Sequence, residues 1–221
     1  EISECLVGSE MCIRDRDNTA QKTKYEQMLL PVVMFDPPDF TDPATCDNEF
    51  LLQSSLWACM LGERRGSYEF DEYGRMVIPA ADVDAQAVSL FGQNIKLEHM
   101  TIGDMENAYQ YDSDIASYHV PIIAMTGFAT PSVEKIVMKQ DSCQLTVGYV
   151  PPTTVLSINY DSKGNLEETP SKYMLYELRK NGKDFYLYSV TTIMNDSVSG
   201  TEFNTGTVGR VDTVSYTHLT L

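Results

Sequence analysis

The dipeptide Asn181-Gly182, set between the alternating runs 172–180 and 183–193, is the strongest two-residue hairpin signal a chain can carry. Asparagine and glycine tolerate the left-handed backbone that a tight turn between twisted strands requires. Similar signals precede it. Runs 133–139 and 143–150 flank Gln140-Asp141-Ser142, and runs 109–111 and 117–123 flank Asp112-Ser113-Asp114. Residues 95–102 alternate as a further strand. Consecutive hairpins imply an antiparallel meander in the second half of the chain. The long connection before the last hairpin holds Asp161-Ser162-Lys163-Gly164-Asn165, which reads as a surface turn.

The first half reads as helical. Residues 48–61 form the clearest helix, with Asp47 as N-cap and Gly62 as the terminating residue. Phe50, Leu51, Leu52, Leu56, Trp57, Cys59, Met60 and Leu61 make it apolar around most of its circumference, so it is expected to be largely buried, with Trp57 as a core anchor. Residues 68–78 read as two short strands around Asp71-Glu72-Tyr73-Gly74. A second helix over 81–91 places Val83, Ala87, Leu90 and Phe91 on one narrow stripe, with Asp82 and Asp84 near the positive end of its dipole, and Gly92 ends it. Ahead of these, residues 17–24 read as a linker and 25–35 as a short apolar element interrupted by Pro31. The proline-rich run 36–43 reads as an ordered loop.

Helices first and strands after define an α+β class, with N-terminal helices packed on a curved antiparallel sheet in one domain spanning 25–194. Residues 195–213 are rich in Ser, Thr, Gly and Asn and read as a polar tail or a linker. The element order, with Ile78-Pro79-Ala80-Ala81-Asp82-Val83 and Leu90-Phe91-Gly92, resembles the cystatin-like and NTF2-like cone folds. It also resembles extracytoplasmic domains of anaerobic Gram-positive bacteria. That likeness implies a bacterial surface protein or lipoprotein, located outside the cytoplasm.

The two ends resemble one short DNA sequence read on opposite strands. Glu10-Met11-Cys12-Ile13-Arg14-Asp15 can be written GAG ATG TGT ATA AGA GAC, and Val214-Ser215-Tyr216-Thr217-His218-Leu219 can be written GTC TCT TAT ACA CAT CTG, which carries the reverse complement. The repeat resembles the transposase end used in sequencing libraries. Residues 1–16 and 214–221 are therefore expected to be adapter-derived and foreign to the fold, on an insert cut from a longer gene.

Without those ends, 14 Lys and Arg face 28 Asp and Glu. A chain this acidic is repelled by phosphate backbones, so nucleic acid is not an expected partner. No apolar stretch approaches the roughly 20 residues of a membrane span. Three cysteines remain, Cys46, Cys59 and Cys143; a single Cys46–Cys59 bridge is one option, and no CxxC pairing marks a zinc site.

Neither GxGxxG nor GxxxxGK[ST] occurs, which argues against nucleotide chemistry, and no GxSxG elbow occurs. His99 and His119 lack HExxH spacing. The acidic pairs Asp112/Asp114 and Asp71/Glu72 invite a calcium or acid–base reading, but their spacing suits turns in which Asp side chains bond their own backbone. No catalytic residue, metal ligand or cofactor is therefore expected.

Tyrosine is unusual, with 13 in the chain. Tyr109, Tyr111, Tyr118 and Tyr149 lie in or beside strands. Alternation could gather their rings on one face that binds an unknown peptide, glycan or protein, or could pack them across strands. Tyr109, Tyr111, Tyr118 and His119 are the ligand-binding candidates. A non-catalytic interaction or ligand-binding domain is the leading expectation. The alternative is a small-molecule enzyme of the NTF2-like type whose pocket gathers His119 with Tyr118 or an acidic residue. Strict alternation from Tyr118 to Val120 places His119 opposite its two neighbours, hence toward solvent if they face the core.

Overall fold

A computed structural model describes residues 11–12, 19–104, 108–122, 127–152 and 169–193. Three α-helices are present among them: α1 (Thr19–Val33), α2 (Asn48–Leu61) and α3 (Ala80–Phe91). The strands are β1 (Met11–Cys12), β2 (Glu69–Phe70), β3 (Met76–Pro79), β4 (Gln110–Asp112), β5 (Ser117–Val120), β6 (Thr130–Met138), β7 (Ser142–Val150), β8 (Tyr173–Asn181) and β9 (Asp184–Thr192). The class is α+β. The strands divide between two antiparallel sheets, where the sequence suggested one curved sheet: a large one ordered β1-β6-β7-β8-β9 and a small one ordered β2-β3-β5-β4. The meander over β6 to β9 is as expected. The small sheet arises because β5 pairs with β3 across α3, and strands this short cannot extend the nine-residue ladders of the large sheet.

α2 is buried on nearly every side because it has neighbours on nearly every side. α1 and α3 flank it, with α1 against β6 and α3 against β9, and the small sheet reaches it through a bond from Trp57 Nε1 to Tyr109 Oη at 2.9 Å. Leu52, Leu56 and Trp57 are all but inaccessible to solvent, and each such side chain contributes roughly 1.5–3 kcal/mol. Asp47 caps the helix by accepting from Glu49 N–H at 3.3 Å. Gly62 follows it with an ordinary φ of −76°, so the glycine is required by space and not by a left-handed turn: a Cβ there would lie 2.8 Å from the Ala58 carbonyl oxygen.

Several sequence expectations are corrected. Most of the expected linker 17–24 belongs to α1, which starts at Thr19; its first turns are largely exposed, so they need no apolar stripe. Pro31 sits inside the last turn of α1, which closes on Asp36 with φ of 49° just before Pro37. Residues 95–102 form no strand. They run extended beside α2, where Asn48 Nδ2 donates to the Glu98 carbonyl at 2.8 Å and Glu98 N–H donates to Asn48 Oδ1 at 2.9 Å. Side-chain bonds there replace a ladder.

The last hairpin turns on Gly182-Lys183, one residue later than expected, since Asn181 pairs with Asp184. Gly182 has φ of 64° and Lys183 is not among the residues of positive φ, the pattern in which glycine takes the first central position of the turn. On the outer edge of β9, Phe40 and Val190 exchange two backbone bonds of 2.9 Å, and Thr192 N–H donates to Asp39 Oδ1 at 3.0 Å. At the other edge, Glu26 of α1 accepts from Val133 N–H at 2.9 Å, beside a bulge in β6, and β1 pairs with Met138 and Val137. The Asp161 turn, residues 194–213 and the end segments other than Met11–Cys12 lie outside the described residues.

Candidate functional site

The small sheet positions the residues that sequence reasoning singled out, and it separates them. Alternation along β5 holds: Tyr118 and Val120 are buried on the inner face, and His119 lies on the outer one. Register then sets Glu69, Val77, His119 and Gln110 in one row across β2, β3, β5 and β4. That row is not simply solvated. The β2–β3 turn folds over its end and brings Asp71 and Arg75 to His119.

Asp71 organises the turn. Its Oδ1 accepts from Tyr73 N–H and Arg75 N–H, both at 2.9 Å, while its Oδ2 lies 2.7 Å from both His119 Nδ1 and Arg75 Nε. Gly74, with φ of 74°, supplies the left-handed residue that lets the chain turn back. Desolvation pushes the Asp71 carboxyl upward, but the N–H groups of Arg75 and Tyr73, the His119 ring and the Arg75 side chain outweigh it and hold the group well below the usual carboxylate range. Arg75 Nη1 continues the network to Gln110 Oε1 at 2.8 Å, and its guanidinium lies 5.3 Å from the Tyr73 ring centroid.

A carboxylate in that position fixes an imidazole as a donor at Nδ1, which leaves Nε2 as the ring's acceptor. Such a ring could move a proton. Among the described residues, no hydroxyl or thiol is bonded to Nε2. Of the partners foreseen for His119, the acidic one is present and Tyr118 is on the opposite face.

Tyr118 belongs to a second histidine. Its hydroxyl lies 3.0 Å from His99 Nδ1, and His99 Nε2 lies 3.3 Å from Asp84 Oδ1 on α3. Tyr118 O–H donating to Nδ1, with Nε2–H donating to Asp84, satisfies a neutral ring at both nitrogens. Tyr111 stacks on that ring at 5.3 Å and 22°.

Of the two readings of the tyrosines, cross-strand packing describes most of these rings. Tyr109 and Tyr118 are core residues, as are Tyr149 and Tyr176, whose hydroxyls bond each other. Only Tyr111 of the candidate rings is half-exposed. Burial pushes the Tyr109, Tyr118, Tyr149 and Tyr176 hydroxyls above the ordinary tyrosine value. Cross-strand packing has therefore consumed these rings. Cys46 and Cys59 are free thiols, as is Cys143, so no bridge joins the first two. Asp112 Oδ1 accepts from Asp114 N–H at 2.9 Å, the turn bond expected there.

Sequence reasoning missed Arg75, Gln110 and a set of exposed apolar side chains. Phe70 is 58% exposed, Tyr73 75% and Ile122 51%. Phe70 pairs with Met76, which pairs with Val120, and Ile122 follows two residues on, so all three stand at the turn end of the small sheet. Met100 and Ile115, the other exposed large apolar residues, belong to loops bordering the same sheet. The lone Phe at a strand end was the available signal. No family model, curated protein or solved structure matches this chain.

Proposed function

We propose that this chain is a non-catalytic interaction domain that docks a segment of another protein on the turn end of its small sheet. One observation carries this: three of the five exposed large apolar side chains among the described residues, Phe70, Tyr73 and Ile122, stand together at that end. Apolar groups gathered in that way favour a partner surface, because isolated ones scatter. The network of Asp71, Arg75 and His119 holds the turn that presents Phe70 and Tyr73, so the surface is fixed before a partner arrives. Residues 68–122 carry ten Asp and Glu against only Arg75 and Lys96, which favours a partner segment bearing Lys or Arg around its apolar anchors. An extracytoplasmic setting, in a bacterial surface protein or lipoprotein, goes with this function through the resemblance noted in the sequence.

Selection of a random peptide library on the wild-type domain, with counter-selection on a Phe70→Ser/Tyr73→Ser/Ile122→Ser variant, tests it. Enrichment of basic, apolar peptides that bind only the wild type supports the docking surface. Failure to enrich, or equal binding to both proteins, overturns it.

The Asp71-held imidazole favours one second reading, a small-molecule enzyme using His119 as acid or base. A hydrolytic substrate panel with wild type and His119→Asn separates the two: turnover abolished by His119→Asn and untouched by the three serine substitutions supports the enzyme.

A further inference from the structure

Two cavities of about 240 Å³ adjoin around the short 3₁₀ turn Pro43–Thr45, and neither is lined by a residue of the His119 network. Ala44, Asn94 and Ile95 line both, so they form one groove with two chambers. Asp42, Gln93, Arg179, Tyr186 and Tyr188 complete the first chamber; Asn48, Lys96 and Glu98 are among the walls of the second. Each chamber is slightly smaller than a typical pocket for a drug-sized ligand, roughly 300–1,000 Å³. The space suits a chain of small units more than one large molecule.

The walls are held in place. Gly92 ends α3 with φ of 92°, and a Cβ there would lie 2.8 Å from the Tyr186 ring, so glycine alone lets that ring settle against the helix end. The Arg179 guanidinium lies 3.1 Å from the Tyr188 centroid, and its Nε is 3.4 Å from Glu177 Oε1. Asn48 is locked to Glu98 by the two bonds already described. Asp42 uses Oδ1 for Ala44 N–H at 2.9 Å, leaving Oδ2 as an acceptor at the groove.

We infer that this groove binds a neutral oligosaccharide, one sugar ring in each chamber. The amides of Gln93 and Asn94 each present a donor and an acceptor side by side, which matches hydroxyl groups that both donate and accept. Asn94 reaches both chambers and serves adjoining rings. The charges argue against an anionic ligand: Arg179 has Glu177 beside it, Lys96 shares its chamber with Glu98, and Asp42 adds a carboxylate to the first chamber, to which sugar hydroxyls can donate. Preformed walls reduce the ordering that binding requires.

Amide-resolved NMR titration of the full chain with cellotetraose, chitotetraose, mannotetraose and maltotetraose, and with glucose as a single-ring control, tests the assignment. At least one tetrasaccharide is expected to shift the amides of Gln93, Asn94 and Arg179, to bind about ten-fold more tightly than glucose, and to weaken about ten-fold in Asn94→Ala. Asn94 is exposed, so that variant keeps its melting temperature. The serine substitutions at Phe70, Tyr73 and Ile122 leave the binding unchanged. No shift from any tetrasaccharide at about 10 mM, or shifts that survive Asn94→Ala unaltered, overturns the assignment.

Discussion

The side chain of Asn48 and the backbone of Glu98 exchange two hydrogen bonds, of 2.8 and 2.9 Å, across 50 residues of sequence. They are the pair that a neighbouring strand would make, supplied here by the first residue of a helix. Net contributions of about 0.5–1.5 kcal/mol per bond put the loss in Asn48→Ala at about 1–3 kcal/mol, read by denaturant unfolding. Asn48→Asp retains the acceptor and loses the donor, so its loss should fall between those of Ala and wild type. Hydrogen exchange at the Glu98 amide should accelerate in Asn48→Ala and stay protected in Asn48→Asp, which keeps its acceptor.

Tyr109→Phe leaves the indole N–H of Trp57 buried and unpartnered, because the Tyr109 hydroxyl is its 2.9 Å acceptor. An unsatisfied buried donor costs about 1–3 kcal/mol. Trp57 is the chain's single tryptophan, so its fluorescence reports both the unfolding midpoint and the altered indole environment. An unchanged midpoint would show that the bond contributes nothing to stability.

Asp71 ties folding to acid. Desolvation raises its carboxyl, the surrounding donors lower it more, and the net depression means the folded state favours the ionised form. The stabilisation is therefore present above the unfolded carboxyl value of about 3.9 and fades as pH falls toward the lower folded value. Asp71→Asn should destabilise the domain at neutral pH, and its unfolding curve should converge with that of wild type below about pH 4. A gap that stays constant with pH would assign the effect to hydrogen-bond geometry alone.

At the alkaline end the sign reverses. Desolvation pushes the Cys59 thiol from 9.0 to about 12 and the Tyr25 hydroxyl from 10.0 to about 12. The folded state holds these protons more tightly than the unfolded chain, so their contribution is complete below pH 9 and is lost as pH rises through 12. Melting temperature should fall steeply over that interval, and Tyr25→Phe should make the fall shallower above pH 10.

Gly92→Ala combines a φ of 92° with a Cβ 2.8 Å from the Tyr186 ring. Alanine at an incompatible positive φ destabilises by more than the roughly 0.4–1 kcal/mol gained at compatible sites. Calorimetry should show a loss above that amount, and Tyr186→Ala in the same chain should recover part of it by removing the ring contact.

Local signals carried the elements well. Asp47 and Gly62 marked the two ends of α2, and Gly92 closed α3, because caps and periodicity act within a few residues. The division into two sheets was not legible, since it depends on β5 choosing β3 as a partner across α3. The same remoteness hid the site. Alternation correctly put His119 opposite Tyr118 and Val120, yet nothing local to His119 announces that Asp71 lies beside it, 48 residues earlier. The tyrosines admitted two readings for a physical reason: a ring with a polar tip serves a core as readily as a binding face when its hydroxyl finds a partner, as Tyr149 and Tyr176 find each other.

The short pairing of Phe40 with Val190, reinforced by Asp39 on Thr192, has a consequence for the crowded chain. A sheet margin with unpaired N–H and C=O groups is a template on which a second molecule can add its own strand and begin a fibre. Here the loop after α1 already occupies the C-terminal part of that margin, at Val190 and Thr192, and the adjoining prolines at 37 and 38 cannot donate the bonds an incoming strand would need. Cleavage of this loop would release the β9 margin at Val190 and Thr192, giving a second molecule more open strand on which to begin polymerisation.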